Sequence, residues 1–237
     1  GCNPCSEIIL RPYQFCNLSE VVIRAKDTVE TLLNKVELAT ILGTFQATLT
    51  DFKYLRKIWK DNTEEERLLG VSLTGIMDNQ LFNDYNTMSF EDGQQVFDDS
   101  RVGSILNKLK EKAIETNKDL SEKLGIPQST AITCVKPSGT VSQLVDSASG
   151  IHARHSEYYI RTVRGDNKDP ITKFMMDSGI PNEPDAMKPD SVTVFSFPMK
   201  SPEGATTRNE MSAIHQLNLW QAYQNHWCEH KPSVTIS

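Results

Sequence analysis

The sequence has few of the features that would place a protein in a membrane, outside the cell or on a nucleic acid. No apolar run approaches the roughly 18 residues that a membrane-spanning helix needs. Five cysteines in 237 residues form an odd and sparse set, which fits the reducing cytoplasm better than a secreted disulfide framework. The net charge of −6 argues against nonspecific nucleic-acid binding. We therefore expect a cytoplasmic protein that has neither a membrane nor a nucleic acid as its partner.

Strand-like and helix-like segments alternate along the chain, without repeats or low-complexity tracts. Hydrophobic residues make up 38% of the chain, enough for a packed core. The alternation predicts an α/β architecture. Strands are expected at 130–135, 158–164 and 191–197. Capping patterns predict helices that open at Asp27, Thr63 and Thr207, and a long charged helix is expected from Ser89 to Gly125.

The most informative segment is Asn3-Pro4-Cys5-Ser6-Glu7 near the start of the chain. In an extended backbone, residues at i, i+2 and i+4 point to one side, so an amide, a thiol and a carboxylate share one face. A carboxylate can take a proton from a sugar hydroxyl, an amide can hold a second hydroxyl, and a thiol can transfer a hydrogen atom. Extended geometry spreads Asn3 and Glu7 by roughly 13 Å, so the segment must curve as a loop tip does. Without this context, a free cysteine is usually a small buried hydrophobe.

A second candidate site is the tetrapeptide Pro137-Ser138-Gly139-Thr140, between a β-prone run and a helix start. Exposed N–H groups at a helix start and small hydroxyl side chains can bind an anion, and Gly139 would let the backbone approach it closely. Alone, such a tetrapeptide is more often an ordinary turn. The nearby His152, Arg154 and His155 could face phosphates or a cofactor, but a structural loop with one satisfied histidine and a solvated arginine is the favoured interpretation.

Three motifs in this order resemble the ribonucleotide reductases, and more narrowly the monomeric, adenosylcobalamin-dependent (class II) ribonucleoside-triphosphate reductases. The first is Asn3-Pro4-Cys5-Ser6-Glu7 followed by Phe15-Cys16-Asn17-Leu18-Ser19-Glu20. The second runs from Cys134 to Ser142, and the third from His226 to Ile236. The resemblance extends over the whole chain.

The resemblance implies part of a ten-stranded α/β barrel, built from two antiparallel halves, with a finger loop that carries the radical cysteine. On this interpretation, residues 1–237 form a partial catalytic barrel, with the loop tip at 1–12 and the phosphate-loop region at 130–145. The chain starts without Met and stops within a strand-like segment, so we expect flanking parts of a longer polypeptide. Residues 1–237 alone are expected to be inactive and prone to aggregate, because an unclosed barrel exposes strand edges.

The resemblance also implies roles for individual residues. Cys5 would become a thiyl radical that abstracts the 3′ hydrogen of the substrate ribose. Glu7 would be the general base on the 3′ hydroxyl, and Asn3 would hydrogen-bond the ribose hydroxyls. Cys16 would be one of two reducing cysteines, whose partner in the family lies upstream of this chain. Cys2 is the only nearby candidate substitute, and the motif gives no support for it. Pro137, Ser138, Gly139 and Thr140 match the substrate-phosphate loop.

The implied reaction converts ribonucleoside triphosphates to 2′-deoxyribonucleoside triphosphates for DNA precursor synthesis. Adenosylcobalamin would supply the initiating radical, and thioredoxin or a similar dithiol would re-reduce the cysteine pair. A deoxyribonucleotide effector would bind to parts beyond this chain. No metal site is expected among the residues themselves.

Two other functions stay open at this point. One is a noncatalytic nucleotide-binding remnant of the same fold. The other is a zinc-stabilised binding module using Cys2, Cys5, His226, Cys228 and His230, although the His-x-Cys-x-His spacing is unusual for zinc ligands.

Overall fold

The computed structural model describes residues 1–83, 88–91, 94–97 and 99–236. The chain divides into two compact units. The first comprises Gly1–Arg154 and Glu203–Ser237, and the second comprises His155–Pro202. All of the predicted site residues lie in the first unit.

The first unit is built on a three-stranded parallel sheet with the strand order β1-β2-β5. Its strands are β1 (Asn17–Val22), β2 (Leu69–Thr74) and β5 (Thr133–Cys134). Every residue of β2 is buried, as expected for the central strand of a parallel sheet that is covered on both faces. The expected α/β class is confirmed, whereas the ten-stranded barrel stays a prediction.

Helices and a hairpin connect these strands. The helices are α1 (Val29–Gln46), α2 (Lys57–Glu66), α3 (Ser100–Leu124), α4 (Val141–Leu144) and α6 (Ala213–His226), with a 3₁₀ turn at Ile76–Asp78. The hairpin pairs β3 (Met88–Glu91) with β4 (Gln94–Phe97). Helix α1 packs against β1, β2 and α3, so the sheet has one helix-covered face.

The hydrophobic core of the first unit includes the apolar residues of the helix-covered face of the sheet. Val21, Val71 and Leu73 belong to one buried cluster with residues of α1 and α3, among them Leu32, Val36, Leu106 and Leu109. Side chains alternate along a strand, so the residues between them, including Glu20, Gly70 and Ser72, point to the opposite face. The candidate site lies on that opposite face.

The prediction of a helix opening at Thr63 is wrong. Helix α2 instead ends at Glu66, because Arg67 adopts a left-handed conformation (φ 47°), and Leu69 begins the central strand. The apolar residues Leu69, Val71 and Leu73 alternate as in a strand, but the four-residue spacing of Leu69 and Leu73 also fits a helix that follows the capping pattern at Thr63.

Two other helix starts lie later in the chain than predicted. The long charged helix begins at Ser100 rather than Ser89, which lies in strand β3. The last helix begins at Ala213 and is capped by Ser212, whereas the Glu210 carboxylate accepts hydrogen bonds from Thr207 in the turn before it.

The start of the first helix also differs in detail from the prediction. The capping box is made by Thr28 and Thr31, one residue beyond the predicted Asp27 pattern. The Asp27 carboxylate instead accepts from the Arg24 backbone N–H (2.7 Å) and pairs with Lys35.

The second unit is an antiparallel sheet with one helix. Its elements are β6 (Tyr158–Asp166), α5 (Pro170–Asp177), β7 (Asn182–Pro184) and β8 (Val192–Lys200), with the strand order β6-β8-β7. The strands predicted at 158–164 and 191–197 are confirmed as parts of β6 and β8.

None of the helices in the described ranges combines the length and apolar character needed to span a lipid bilayer.

Candidate active site

The first ten residues close into a hairpin that carries Cys5 in its turn. Gly1 and Leu10 exchange backbone hydrogen bonds of 2.7 and 3.0 Å, and the Asn3 N–H donates to the Ile8 carbonyl at 3.2 Å. The turn is closed by the Ser6 N–H, which donates to the Asn3 carbonyl, and Ser6 adopts a positive φ of 63°. The backbone therefore curves between Asn3 and Glu7, as the predicted chemistry requires.

The three side chains of this hairpin have different environments. The Cys5 thiol is exposed at the turn. The Asn3 Oδ1 accepts from the Ile8 N–H at 3.1 Å, which fixes the amide and leaves its NH₂ group as a donor. Glu7 is fully buried. A solvated thiol and a buried carboxylate thus lie two residues apart.

The Glu7 carboxylate is the most unusual group of the site. Among the residues that the structure describes, neither of its oxygens has a hydrogen-bond partner. The nearest cation is Lys136, whose Nζ lies 4.0 Å from Oε1. Burying a carboxylate without donors is strongly unfavourable, so such a group usually has a ligand to bind or a proton to transfer.

Cys16 lies directly before β1 and close to this carboxylate. Burial raises the pKa of its thiol to about 12, and the negative charge of Glu7 adds to this effect. Cys16 is therefore a protonated thiol at neutral pH. Its sulfur lies near Gly70, where an added Cβ would be 3.3 Å from Sγ, 2.5 Å from Leu18 and 2.9 Å from Ile8. Gly70 thus lets the hairpin and Cys16 pack directly on the central strand.

The structure adds Glu20 and Ser72 to this face of the sheet. The strand register sets Glu20 beside Ser72, and Ser72 beside Cys134. The Ser72 hydroxyl donates to Glu20 at 3.4 Å and accepts from the Lys136 backbone N–H at 2.9 Å. Burial raises the pKa of Glu20, and the charge of Glu7 acts in the same direction, whereas Lys136 opposes it. The site therefore contains one fully buried carboxylate, Glu7, one half-buried carboxylate, Glu20, and one lysine.

Sequence reasoning missed these residues for different reasons. Glu20 belongs to the motif that begins at Phe15, and it shares a strand face with Leu18. That period-two spacing could have assigned it to the site. Ser72 was missed because its strand was predicted as a helix, although the alternation of Leu69, Val71 and Leu73 could have indicated the strand.

The predicted phosphate loop, Pro137 to Thr140, joins β5 to α4. Ser138 has a positive φ of 56° and a buried hydroxyl. This hydroxyl lies close enough to Glu20 to lower its pKa, yet no hydrogen bond of proper geometry joins them. Gly139 and Thr140 are exposed, and in the described chain nothing lies within 4 Å of a Cβ added at Gly139. The loop therefore has open space above Gly139.

The glycine on which this loop depends structurally is Gly150 rather than Gly139. Gly150 has φ 56°, and a Cβ there would lie 2.5 Å from the Lys136 carbonyl oxygen. Next to it, the Ser149 hydroxyl donates to the Pro137 carbonyl at 2.6 Å, and the Gly150 N–H donates to Thr74. The segment around Gly150 therefore connects the start of the loop to the end of β2 through hydrogen bonds.

We expect Gly150→Ala to lower the free energy of unfolding by about 2–4 kcal/mol, because it combines a left-handed backbone with a backbone clash. Gly139→Ala, the matched control in the loop that Gly150 supports, should change it by less than about 0.5 kcal/mol. Urea denaturation of both variants measures the difference. Equal destabilisation would contradict this assignment.

The loop residues Arg154, His152 and His155 do not join the site. Arg154 is buried and forms two 2.8 Å bonds to Asp78 and a third to Asp146. His152 contacts the Ser149 carbonyl at 2.7 Å and accepts from the Thr235 N–H. His155 belongs to the second unit and packs edge-on against Tyr159. The favoured interpretation of a structural loop therefore holds for His152, whereas the expectation of a solvated arginine is wrong, because Arg154 is buried and paired with Asp78 and Asp146.

The residues of the zinc alternative have other partners. His226 contacts Asp99 and Asn107, and His230 contacts Leu69 and Ile9. In the part of the chain that is described, no three His, Cys, Asp or Glu side chains are grouped as ligands for a metal ion.

Comparison with known proteins agrees with the resemblance seen in the motifs. No family model matches the chain. The chain is 30% identical over 240 residues to a probable adenosylcobalamin-dependent ribonucleoside-triphosphate reductase of Dictyostelium discoideum, covering all of this chain and 29% of that protein. It is 29% identical over 255 residues to the adenosylcobalamin-dependent ribonucleoside-triphosphate reductase of Lactobacillus acidophilus, covering 34% of that protein.

Solved structures give the same result. A crystal structure of a B-12 dependent (class II) ribonucleotide reductase matches the whole chain with a TM-score of 0.81 and 25% identity, over 35% of its own length. The Actinobacillus ureae class Id ribonucleotide reductase alpha subunit shares the fold over 75% of this chain, with a TM-score of 0.50 and 18% identity. The chain spans about a third of the length of these relatives. Along its whole length, this chain is similar to the adenosylcobalamin-dependent ribonucleoside-triphosphate reductases.

Proposed function

We propose that this chain carries the radical and reducing thiols of a ribonucleoside-triphosphate reductase, which converts its substrates to 2′-deoxyribonucleoside triphosphates for DNA synthesis. The observation that carries the proposal is the buried Glu7 carboxylate, which has no hydrogen-bond donor among the described residues and lies on a hairpin that also carries an exposed thiol. A ribose hydroxyl would supply the missing donor, and the carboxylate would act on it as a general base.

Each of the three hairpin side chains would have its own role in the reaction at the ribose. Cys5, as a thiyl radical, abstracts the 3′ hydrogen atom, so that an S–H bond forms as the C3′–H bond breaks. Glu7 takes the proton of the 3′ hydroxyl. Asn3 donates its NH₂ group to a ribose hydroxyl, because its Oδ1 is occupied by the Ile8 N–H. The curved hairpin is the feature that supports these three roles for one sugar ring.

Cys16 would supply reducing equivalents for the loss of the 2′ hydroxyl as water. This step needs two electrons, which a pair of thiols provides by forming a disulfide. A pKa of about 12 keeps Cys16 protonated, so it can also deliver the proton that leaves with the hydroxyl. The resemblance predicts the second thiol outside residues 1–237, and thioredoxin or a similar dithiol would then re-reduce the pair.

Adenosylcobalamin is the cofactor that the proposal requires, and it would supply the initiating radical. Cys5 fits this requirement, because its thiol is exposed at the tip of a hairpin and can be approached from outside the chain. The chain's own contribution is to hold this thiol close to Glu7 and the sugar, and to exclude water from the carboxylate.

Substrate phosphates would bind at Pro137, Ser138, Gly139 and Thr140. The described chain gives the N–H groups of Gly139, Thr140 and Val141 no hydrogen-bond partner, and the space above Gly139 is open. Lys136, which directly precedes the loop, adds a positive charge. These features support an anion site whose donors are already oriented.

The proposal is tested on the complete gene product, assayed with a ribonucleoside triphosphate, adenosylcobalamin and a dithiol. We expect deoxyribonucleoside triphosphate, measured by chromatography, with no product when adenosylcobalamin is omitted and no product beyond a single turnover when the dithiol is omitted. Nucleotide binding without any turnover under these conditions would favour the noncatalytic remnant instead.

A further inference from the structure

The third sequence motif, His226 to Ile236, has no part in the proposed chemistry, yet it contacts the hairpin directly. His230 is buried, with 3% of its surface exposed. It lies between the hairpin and the central strand, and it comes from the opposite end of the chain.

Both ring nitrogens of His230 bind backbone groups. Nδ1 lies 3.4 Å from the Ile9 backbone nitrogen, and Nε2 lies 2.8 Å from the Leu69 carbonyl oxygen. A backbone N–H can only donate and a carbonyl can only accept, so these partners select the neutral imidazole with its proton on Nε2. A protonated ring would lose the contact with Ile9, because Nδ1 could no longer accept.

The next residue extends the same connection. The Lys231 N–H donates to the Glu7 carbonyl at 3.1 Å, and the Lys231 carbonyl accepts from Val135 at 3.2 Å. His230 and Lys231 together therefore connect the hairpin to both β2 and the end of β5.

We propose that His230 is a positioning residue, whose neutral ring fixes the hairpin that carries Cys5 and Glu7 on the sheet. This inference depends on the proposed function only for the chemical roles of Cys5 and Glu7. The fixing of the hairpin itself can be measured without substrate or cofactor, so the two proposals can fail separately.

The geometry implies a direction for the effect of pH. Burial lowers the pKa of His230, while the Leu69 and Ala131 carbonyls and the charge of Glu7 oppose this shift. The other charged groups nearby are Lys136 after β5, and Glu229 and Lys231 on its own segment. Because the pKa of His230 is lowered in the folded protein, the contribution of the neutral ring to stability is complete above the pKa of an unfolded histidine, about 6.5. This contribution is lost as the pH falls through the pKa that His230 has in the folded protein.

Two variants separate the two contacts of the ring. In His230→Gln, the side-chain amide can still donate to Leu69 but offers no acceptor at the Nδ1 position. In His230→Asn, Oδ1 can replace Nδ1 and accept from Ile9. His155→Gln is the control, because this exposed histidine belongs to the second unit.

The measurement is amide hydrogen exchange of the complete gene product, comparing residues 3–9 with residues 69–74 of β2. We expect His230→Gln to speed exchange in the hairpin about tenfold relative to β2, and His230→Asn and His155→Gln to change this ratio by less than about twofold. In the unmodified protein the ratio should rise as the pH falls below about 6.5, and it should stay constant in His230→Gln.

Two results would overturn the proposal. One is an unchanged ratio in His230→Gln. The other is an equal rise in the exchange of both segments, since His230 would then support the fold as a whole.

Discussion

Replacing Cys5 by serine in the complete gene product should reduce deoxyribonucleotide formation below detection while nucleotide binding is retained. The Cys5 thiol is exposed at the hairpin turn, so serine fits there without repacking a core. An O–H bond is too strong for its hydrogen to be removed by the radical that activates a thiol. Product is measured by chromatography, and binding by calorimetry.

Cys2→Ser is the matched control for this variant. Cys2 is also exposed and lies three residues away on the same hairpin, where its sulfur is 3.6 Å from the Ser6 hydroxyl. We expect it to keep most of the activity. Turnover by Cys5→Ser, or equal losses in both variants, would remove Cys5 from the central role.

Glu7→Gln should lower kcat about 10²–10⁴-fold without reducing thermal stability. Most core substitutions destabilise a protein, but this one replaces a fully buried carboxylate whose oxygens have no donors in the described part of the chain. A neutral amide is less costly to bury there, even though Lys136 loses its ion-pair partner. Steady-state kinetics and thermal denaturation of the same preparation measure both effects.

Glu65→Gln provides the comparison for simple loss of a carboxylate. Glu65 pairs with Arg11 at 2.5 Å, and the Glu65 side chain is 67% exposed. Such an exposed ion pair contributes little to the free energy of unfolding. We expect kcat and melting temperature to stay near their original values. A melting temperature that falls in Glu7→Gln but not in Glu65→Gln would mean that the Glu7 carboxylate stabilises the fold, and its proposed role as a base would lose its main support.

The local part of the site could be predicted from the sequence, because its information lies in short motifs. Asn3, Cys5 and Glu7 are two residues apart, and the requirement that they act on one sugar ring already implied a curved loop. The α/β class followed from the alternation of strand-like and helix-like segments.

The rest of the site depends on contacts between distant segments. The central strand β2 was predicted as a helix, because the spacing of Leu69 and Leu73 also fits a helix that follows the capping pattern at Thr63. Without that strand, no register could bring Glu20 and Ser72 together. The open space at Gly139 and the close contact at Gly150 also depend on tertiary packing, because both glycines look alike in the sequence.

The contact between Ile9 and His230 spans 221 positions of the chain, and this affects when the site can form during protein synthesis. Contacts between such distant residues form only after a large loss of chain entropy, so they tend to appear late in folding. On the ribosome, the hairpin emerges long before the residues that fix it. A nascent chain would therefore display Cys5 on a loop without its anchor, and the reactive thiol would reach its working position only after His230 and Lys231 had been translated and folded.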